Sequence, residues 1–460
     1  MKKVLSLLLC LSLVLALSGC GAQQPNAPIE STPPEEDSAA ESTALHFALG
    51  EPLTYDEQYT ADDGTVLLDV SFELPQLELR TDSGTLYELP ITANTADTQP
   101  REVAVRDKFN AEMAHEFDTR KENIKEILDM AREHYEMTEP EFLTYWSNYL
   151  EEFSIDECYL TDGLLSLRCT ASSYYGGAHP YSGTYTRNFD LTSGEFLTLD
   201  LLDFAPSDIT ALGETLTHTL ALYILDEIDE EGLASEYYED YYSYIFDLAA
   251  NANFYFTGEG MTVIFDAYVI APYASGAQEF TVPYYVFYNA LDSHTQSLLD
   301  VSQDAVVLAD YKCAETLWRW FYLSATPMDF GTVGVNIDGE EYFRVSCGEL
   351  NSLEGLRELV CTYVSDEIAD EWLGTGCFAE ANGALYASLV EYGGNMGLGG
   401  ERLAVEWNGE ADGTVVQTLS VQHFNETTGD YFLTGETESY EYPFTLADGH
   451  AVFTAFPCPL

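Results

Sequence analysis

The stretch VLLDVSFELPQLEL, residues 66–79, puts Val70, Phe72 and Leu74 at alternate positions, with Leu77 and Leu79 resuming the alternation after a proline. A period of two is that of a strand with one face buried. Pro75 has no amide hydrogen to give a ladder, so it predicts an edge or a bulge. From Arg101 to about Met137 the period is helical. Val105, Phe109, Met113 and Phe117 recur every four residues, and Ile124, Ile127, Leu128 and Ala131 continue the stripe. Acids and bases fill the other faces, which predicts a long amphipathic helix packed on something. Strand texture returns over 164–171, in two runs within 185–202 about a turn at Thr192-Ser193-Gly194, and over 254–268 and 278–287. Leu212, Leu216, Leu220 and Ile224 mark a helix between them. Long helices among antiparallel-looking strands, without a regular strand–helix alternation, predict an α+β fold class.

Around Asp300 the texture resets. Residues 306–323 read as a helix ending WRWFY, Trp318 to Tyr322, an aromatic face expected in the core. Residues 353–368 read as another helix, with Leu356, Leu359, Val360, Tyr363 and Val364 inward, and the remainder as strand and turn. The expected organisation is a signal segment at 1–19, a linker at 20–44, an α+β region at 45–300 (subdomains 45–155 and 156–300), and a C-terminal α+β domain at 301–460. Antiparallel sheets pack on long amphipathic helices in two or three domains.

Met1-Lys2-Lys3 and an apolar run to Leu17 have the flanks of a signal peptide, and the run is shorter than the roughly 20 residues of a spanning helix. Leu17-Ser18-Gly19-Cys20 reads as a lipobox, with Cys20 the lipidated residue and the Pro-, Ser- and Glu-rich segment after it a tether. The protein is therefore expected outside the cytoplasm, held to the outer face of the membrane as a lipoprotein.

The net charge is −62. A phosphate backbone requires a basic footprint, so nucleic acid is excluded as a partner. Acidity on this scale either serves solubility or steers a cationic protein to the surface, with a strength that falls as salt rises. Beyond Cys10 and Cys20 stand Cys158, Cys169, Cys313, Cys347, Cys361, Cys377 and Cys458. An odd count without a CxxC spacing predicts no zinc site and leaves disulfides open.

SYYGGAHPY, residues 173–181, gathers three tyrosines, a Gly-Gly pair and His179. His179 could act as a base beside Ser172, Ser173 or Tyr174, but nucleophilic catalysis also needs an orienting acid, and no GxSxG elbow is present. A contact or structural role is the preferred reading, and no catalytic residue is assigned. The acids from Asp226 to Asp240 lack the ligand spacing of a calcium loop and read as a solvated helix end. The glycines of 393–400 lack the lysine of a phosphate loop. No cofactor or metal is expected.

Tyr174-Tyr175-Gly176-Gly177-Ala178-His179, then Asn188-Phe189-Asp190 with Gly194 and Leu197-Thr198-Leu199, resembles the motif series of the RsiV-type extracellular domain. Phe254-Tyr255-Phe256, Gly260, Phe265 and Tyr268 through Ile270-Ala271-Pro272-Tyr273-Ala274 to Gly276, Phe280 and Pro283 resemble its closing signature. The resemblance covers about residues 50–290. Such domains occur in a lysozyme-binding anti-sigma factor and as an accessory module on a peptidoglycan deacetylase. The sequence shows neither a sigma-binding segment nor deacetylase metal ligands. The resemblance thus implies binding of a basic cell-wall hydrolase such as lysozyme or an endopeptidase, with peptidoglycan as the other candidate, rather than enzymatic activity. It points to Tyr174, Tyr175, Gly176, Gly177, His179, Pro180, Pro272 and Tyr273 as contacts. Residues 310–460 are similar, through Leu317-Trp318, Phe321, Thr326-Pro327 and Tyr342-Phe343-Arg344, to the IseA-type inhibitor of DL-endopeptidases.

Overall fold

The computed structural model describes residues 44–87, 100–203, 215–230, 232–331, 334–347, 350–389, 398–425 and 430–457. The expected signal segment, Cys20, the linker up to residue 43, Leu212, residues 393–397 and Cys458 lie outside the described residues.

The chain opens with β1 (Leu45–Leu49), β2 (Leu53–Thr60), β3 (Val66–Leu74) and β4 (Leu77–Thr81), followed by α1 (Arg101–Met137). Residues 66–79 are thus two strands in two sheets, not one strand. β3 enters a six-stranded sheet as an inner strand, while β4 pairs only with β1. Pro75, which has no ladder hydrogen to lose, falls in the break between them. Asn110 of α1 closes that break, accepting from Leu77 N at 2.8 Å and donating to Leu77 O at 2.9 Å. The helix has the bounds its periodicity predicts, and Val103, Val105, Phe109, Met113, Ile124, Ile127, Leu128 and Ala131 are buried along it. Phe117 is half-buried and meets Phe72 edge-on at 5.5 Å.

β5 (Tyr149–Leu160), β6 (Leu164–Tyr174), β7 (Tyr181–Asp190) and β8 (Glu195–Leu197) complete the six-stranded sheet, in the order β2-β3-β5-β6-β7-β8. All neighbours are antiparallel except β3 and β5, which run parallel with Leu68 opposite Tyr149. A parallel pair needs a crossover, and α1 supplies it. The sheet therefore draws strands from both sides of residue 155. Leu165, Leu167 and Cys169 of β6 join the core under α1, while Leu164 joins a second core on the other face. Cys158 is exposed and opposite Leu167; Cys169 is buried and opposite Ile155, with a bulge between; both are free thiols. Burial pushes the Cys169 thiol up to about 12.

Asp190 ends β7 with only 2% exposure. Its carboxylate accepts from the amides and hydroxyls of Thr192 and Ser193, at 2.6 to 3.1 Å, and from His294 Nε2 at 2.7 Å. Burial pushes its pKa up, but the bonds from Ser193, His294 and Thr192 outweigh burial and hold it at about 2.

The second core is built by α2 (Leu199–Asp203), α3 (Leu216–Glu230), α4 (Tyr241–Phe246) and α5 (Leu248–Asn251) on a three-stranded sheet of β9 (Asn253–Phe256), β10 (Gly260–Phe265) and β11 (Gln278–Pro283). Residues 254–268, expected as a single strand, form the β9–β10 hairpin. Thr257 Oγ1 accepts from Glu259 N at 3.1 Å and Gly260 N at 3.2 Å, closing the turn. A side chain at Gly260 would meet Val282 O at 2.0 Å, so only glycine allows β11 so close. The strand expected over 278–287 stops at Pro283, and α6 (Tyr284–Phe287) begins. A polar seam joins the two sheets: Ser166 Oγ donates to Asn188 Oδ1 at 2.7 Å and accepts from Phe256 N at 2.7 Å, and Asn188 Nδ2 donates to Phe254 O at 2.8 Å.

α7 (Ser293–Leu298), capped by the Asp292 side chain, leads to α8 (Gln303–Tyr322), capped by Ser302. Leu317, Trp318, Trp320 and Phe321 are buried, so the aromatic helix is core, as expected. Around it lie β12 (Met328–Asp329), β13 (Val335–Ile337), β14 (Glu340–Val345), α9 (Leu353–Tyr363), α10 (Asp366–Leu373), β15 (Phe378–Ala381) and β16 (Ala384–Ser388). A last antiparallel sheet comprises β17 (Leu398–Trp407), β18 (Asp412–Asn425), β19 (Asp430–Ala447) and β20 (His450–Phe453). The helix expected over 353–368 breaks at Val364-Ser365, because Ser365 N donates to Phe453 O at 2.9 Å and Val364 bridges to Phe453.

Buried Asp310 ties three elements together, accepting from Ala451 N at 2.7 Å, His450 Nδ1 at 3.1 Å and Asn289 Nδ2 at 3.1 Å. Glu315 sits between Lys312 at 3.0 Å and Arg319 at 2.9 Å, and Lys312 also pairs with Glu401. Burial works against the Glu315 charge, but Lys312 and Arg319 hold its pKa below the usual carboxylate range. Residues 44–460 form one compact unit, and among the described residues no helix is long and apolar enough to cross a membrane.

Candidate partner-binding surface

The last residue of β6 and the loop from β6 to β7 carry six of the eight predicted contacts. Its sharp path is set by glycine: Gly176 and Gly177 have φ of 87° and 117°, a region other residues seldom enter. Gly176 also packs on the imidazole of His134, 3.3 Å from where a Cβ would stand. Half-buried Tyr174 donates its hydroxyl to Gly177 O at 3.1 Å, cinching the loop at its base. Tyr175 is 42% exposed and leans on Tyr149, with ring centroids 5.7 Å apart. Tyr149 in turn stacks on Trp146, and His134 meets Trp146 edge-on at 5.2 Å, so the loop has an aromatic backing on the α1 side.

The remaining two contacts, Pro272 and Tyr273, lie in the loop between β10 and β11, and the fold brings that loop against the first. Tyr273 OH donates to Pro180 O at 2.8 Å, and its ring stacks on His179 at 4.3 Å and 27°. His179 Nδ1 bonds the same carbonyl at 3.1 Å. Pro272 is exposed and Tyr273 half-buried. One backbone oxygen thus takes a bond from each loop. Ser172 Oγ bonds Ser182 Oγ at 3.4 Å, so neither Ser172 nor His179 is joined to the other.

Three further residues belong to this surface. Tyr268 stacks on Tyr273 at 5.3 Å and 28°, extending the file of rings outward. Tyr181, which follows Pro180, and Tyr185 on the same face of β7 are exposed as well. Partial burial, with Tyr185 and Asp266 nearby, pushes the Tyr181 phenol up. The acidic segment at 236–240 is drawn in as well, through Tyr238 N donating to Ile270 O at 2.9 Å and Tyr237 OH to Gln278 Oε1 at 3.3 Å. Tyr268 was visible in the sequence as part of the closing signature, but its ring orientation was not. Among the described residues no group of three or more His, Cys, Asp or Glu side chains is placed to hold a metal.

This surface overlaps the region where the chain has recognisable relatives. Residues 207–285 match the model of a family described as a protein of unknown function, DUF3298. A solved structure of a DUF3298 family member from Bacteroides fragilis is 19% identical, with 55% of this chain and 96% of that chain covered and a TM-score of 0.38. Another, from Pseudomonas aeruginosa, is 14% identical over 55% of this chain and 96% of that chain, with a TM-score of 0.28. No curated protein matches the sequence.

Proposed function

We propose that this protein is a cell-surface lipoprotein, anchored through Cys20, that captures and restrains basic cell-wall hydrolases such as lysozyme or endopeptidases. The observation that carries the reading is the locking of two sequence-distant loops into one exposed aromatic surface, through Tyr273 OH to Pro180 O at 2.8 Å and the His179–Tyr273 stack. A preformed surface loses little entropy on docking, and exposed tyrosines supply contact area at low ordering cost. The net charge of −62 supports the choice of a cationic partner, since it raises the rate of encounter. The sequence resemblance to the RsiV-type domain supports the choice of hydrolase.

Lysozyme and a DL-endopeptidase are to be titrated against the full chain at low and high salt, with residual hydrolase activity followed in parallel. The expected result is capture that weakens about tenfold or more at high salt, and loss of capture in Tyr273→Ala without loss of fold. If neither hydrolase binds at low salt, while purified peptidoglycan binds regardless of salt, the protein is a wall-binding module and the proposal fails.

A further inference from the structure

We infer that Tyr268 is the anchor of this surface and that it receives a cationic side chain, a guanidinium in preference to an ammonium, from a basic protein partner. The inference rests on the capture reading above and gives it a recognition chemistry. Tyr268 has φ of 74°, a backbone region in which a bulky aromatic residue is an outlier. A turn in which Tyr268 N donates to Ala271 O at 3.1 Å holds it there. That conformation turns the ring outward: Tyr268 is 59% exposed, although one face of its ring rests on Tyr273. His179, Tyr273 and Tyr268 therefore form a file of three rings fixed from behind by the Pro180 carbonyl, with the far face of the last ring presented to solvent.

The surroundings specify what that face can take. From residue 188 to residue 311 the sequence contains no lysine or arginine. Arg168, on β6, is engaged by Asp156 and Glu279, and Arg187, on β7, by Glu116. The file of rings thus has no cation of its own nearby in sequence, although the π face of a tyrosine attracts one. Its rim is acidic. Asp266 lies two residues before Tyr268, with Oδ1 engaged by Thr184 N at 3.0 Å. Glu236, Glu239 and Asp240 stand in the segment tied to Ile270, and none of the three is in an ion pair among the described residues. A cation seated on Tyr268 gains the ring quadrupole and the field of these carboxylates together. A guanidinium fits best because it is planar, stacks flat on an aromatic face, and is more weakly hydrated than an ammonium.

The test is binding of lysozyme, or of the DL-endopeptidase where that is the hydrolase captured, by the full chain and by Tyr268→Phe, Tyr268→Leu and Tyr268→Gly. Phenylalanine keeps the π face, leucine keeps apolar bulk alone, and glycine suits a φ of 74° while removing the ring. Tyr268→Phe should bind within about twofold of wild type, whereas Tyr268→Leu and Tyr268→Gly should weaken binding roughly fivefold or more. The Tyr268→Gly chain is expected to keep its fold, which circular dichroism checks. Leucine binding as well as phenylalanine overturns the cation, and glycine binding as well as wild type overturns the anchor. Failure of the wild-type chain to bind lysozyme and a DL-endopeptidase alike at low salt sinks the capture reading itself, a result distinct from either.

Discussion

Replacing Asp190 by asparagine removes one negative charge from a buried site and little else in size. In the native chain this carboxylate accepts bonds from Thr192, Ser193 and His294, and its pKa lies at about 2 against an ordinary 3.8. A tenfold change in proton affinity is worth about 1.4 kcal/mol, so the ionised form is favoured in the folded chain by about 2 kcal/mol. The folded pKa is the depressed one, so this stabilisation is complete above the unfolded value of 3.8 and is lost as pH falls towards 2. Urea unfolding of wild type and Asp190→Asn, followed by circular dichroism at about pH 7 and again near pH 2.5, isolates the effect as a difference. Other carboxylates titrate in both chains and cancel. The variant should be about 2 kcal/mol less stable at pH 7, and most of that gap should close near pH 2.5. A gap that stays constant with pH would show that asparagine disrupts packing rather than charge, and no gap at neutral pH would refute the reasoning outright.

Gly260→Ala places a methyl group 2.0 Å from Val282 O and 2.9 Å from Pro283 Cα, so the β10–β11 ladder must separate. A loss of about 3 kcal/mol is expected in thermal or urea unfolding, at the upper end for overpacking. Glu315→Gln leaves Lys312 and Arg319 facing a neutral amide within the core around α8. Glu315 itself is buried but Arg319 is half exposed, so the loss should be about 2 kcal/mol, between that of an exposed and of a fully buried pair, and the same assay shows whether Glu401 alone suffices for Lys312.

What could be read from the sequence was what local periodicity records. The stripe of Val105, Phe109 and Met113 fixed the start of α1 because these buried positions recur every four residues. The break at Pro75 was signalled by the phase: the alternation through Val70, Phe72 and Leu74 resumes at Leu77, one residue late. The hairpin within 254–268 had its signal in Thr257-Gly258-Glu259-Gly260, which the apolar pattern on either side obscured. The end of α9 has neither Gly nor Pro to mark it; its local signal is Ser365 ahead of Asp366 and Glu367, the residue types that open α10, while the group that captures Ser365 N is the carbonyl of distant Phe453. Of the candidate surface, the two loops were legible as parts of one family signature. The Tyr273–Pro180 bond and the positive φ of Tyr268 depend on long-range placement that no spacing encodes.

The crossover made by α1 has a consequence for how the chain reaches its fold. β5 through β8 are joined by short turns and can pair as soon as they meet, whereas β3 reaches β5 only by closing a loop that contains β4 and the whole of α1. Thirty-seven residues of helix span about 55 Å as a rod, so a formed helix leaves fewer residues of that loop free to wander than a disordered segment of the same length would. The helix is thus a strut as well as a lid: once it lies on β6 and β7, it delivers β2 and β3 to the one free edge that β5 presents, and the slow long-range pairing becomes the docking of a preassembled piece.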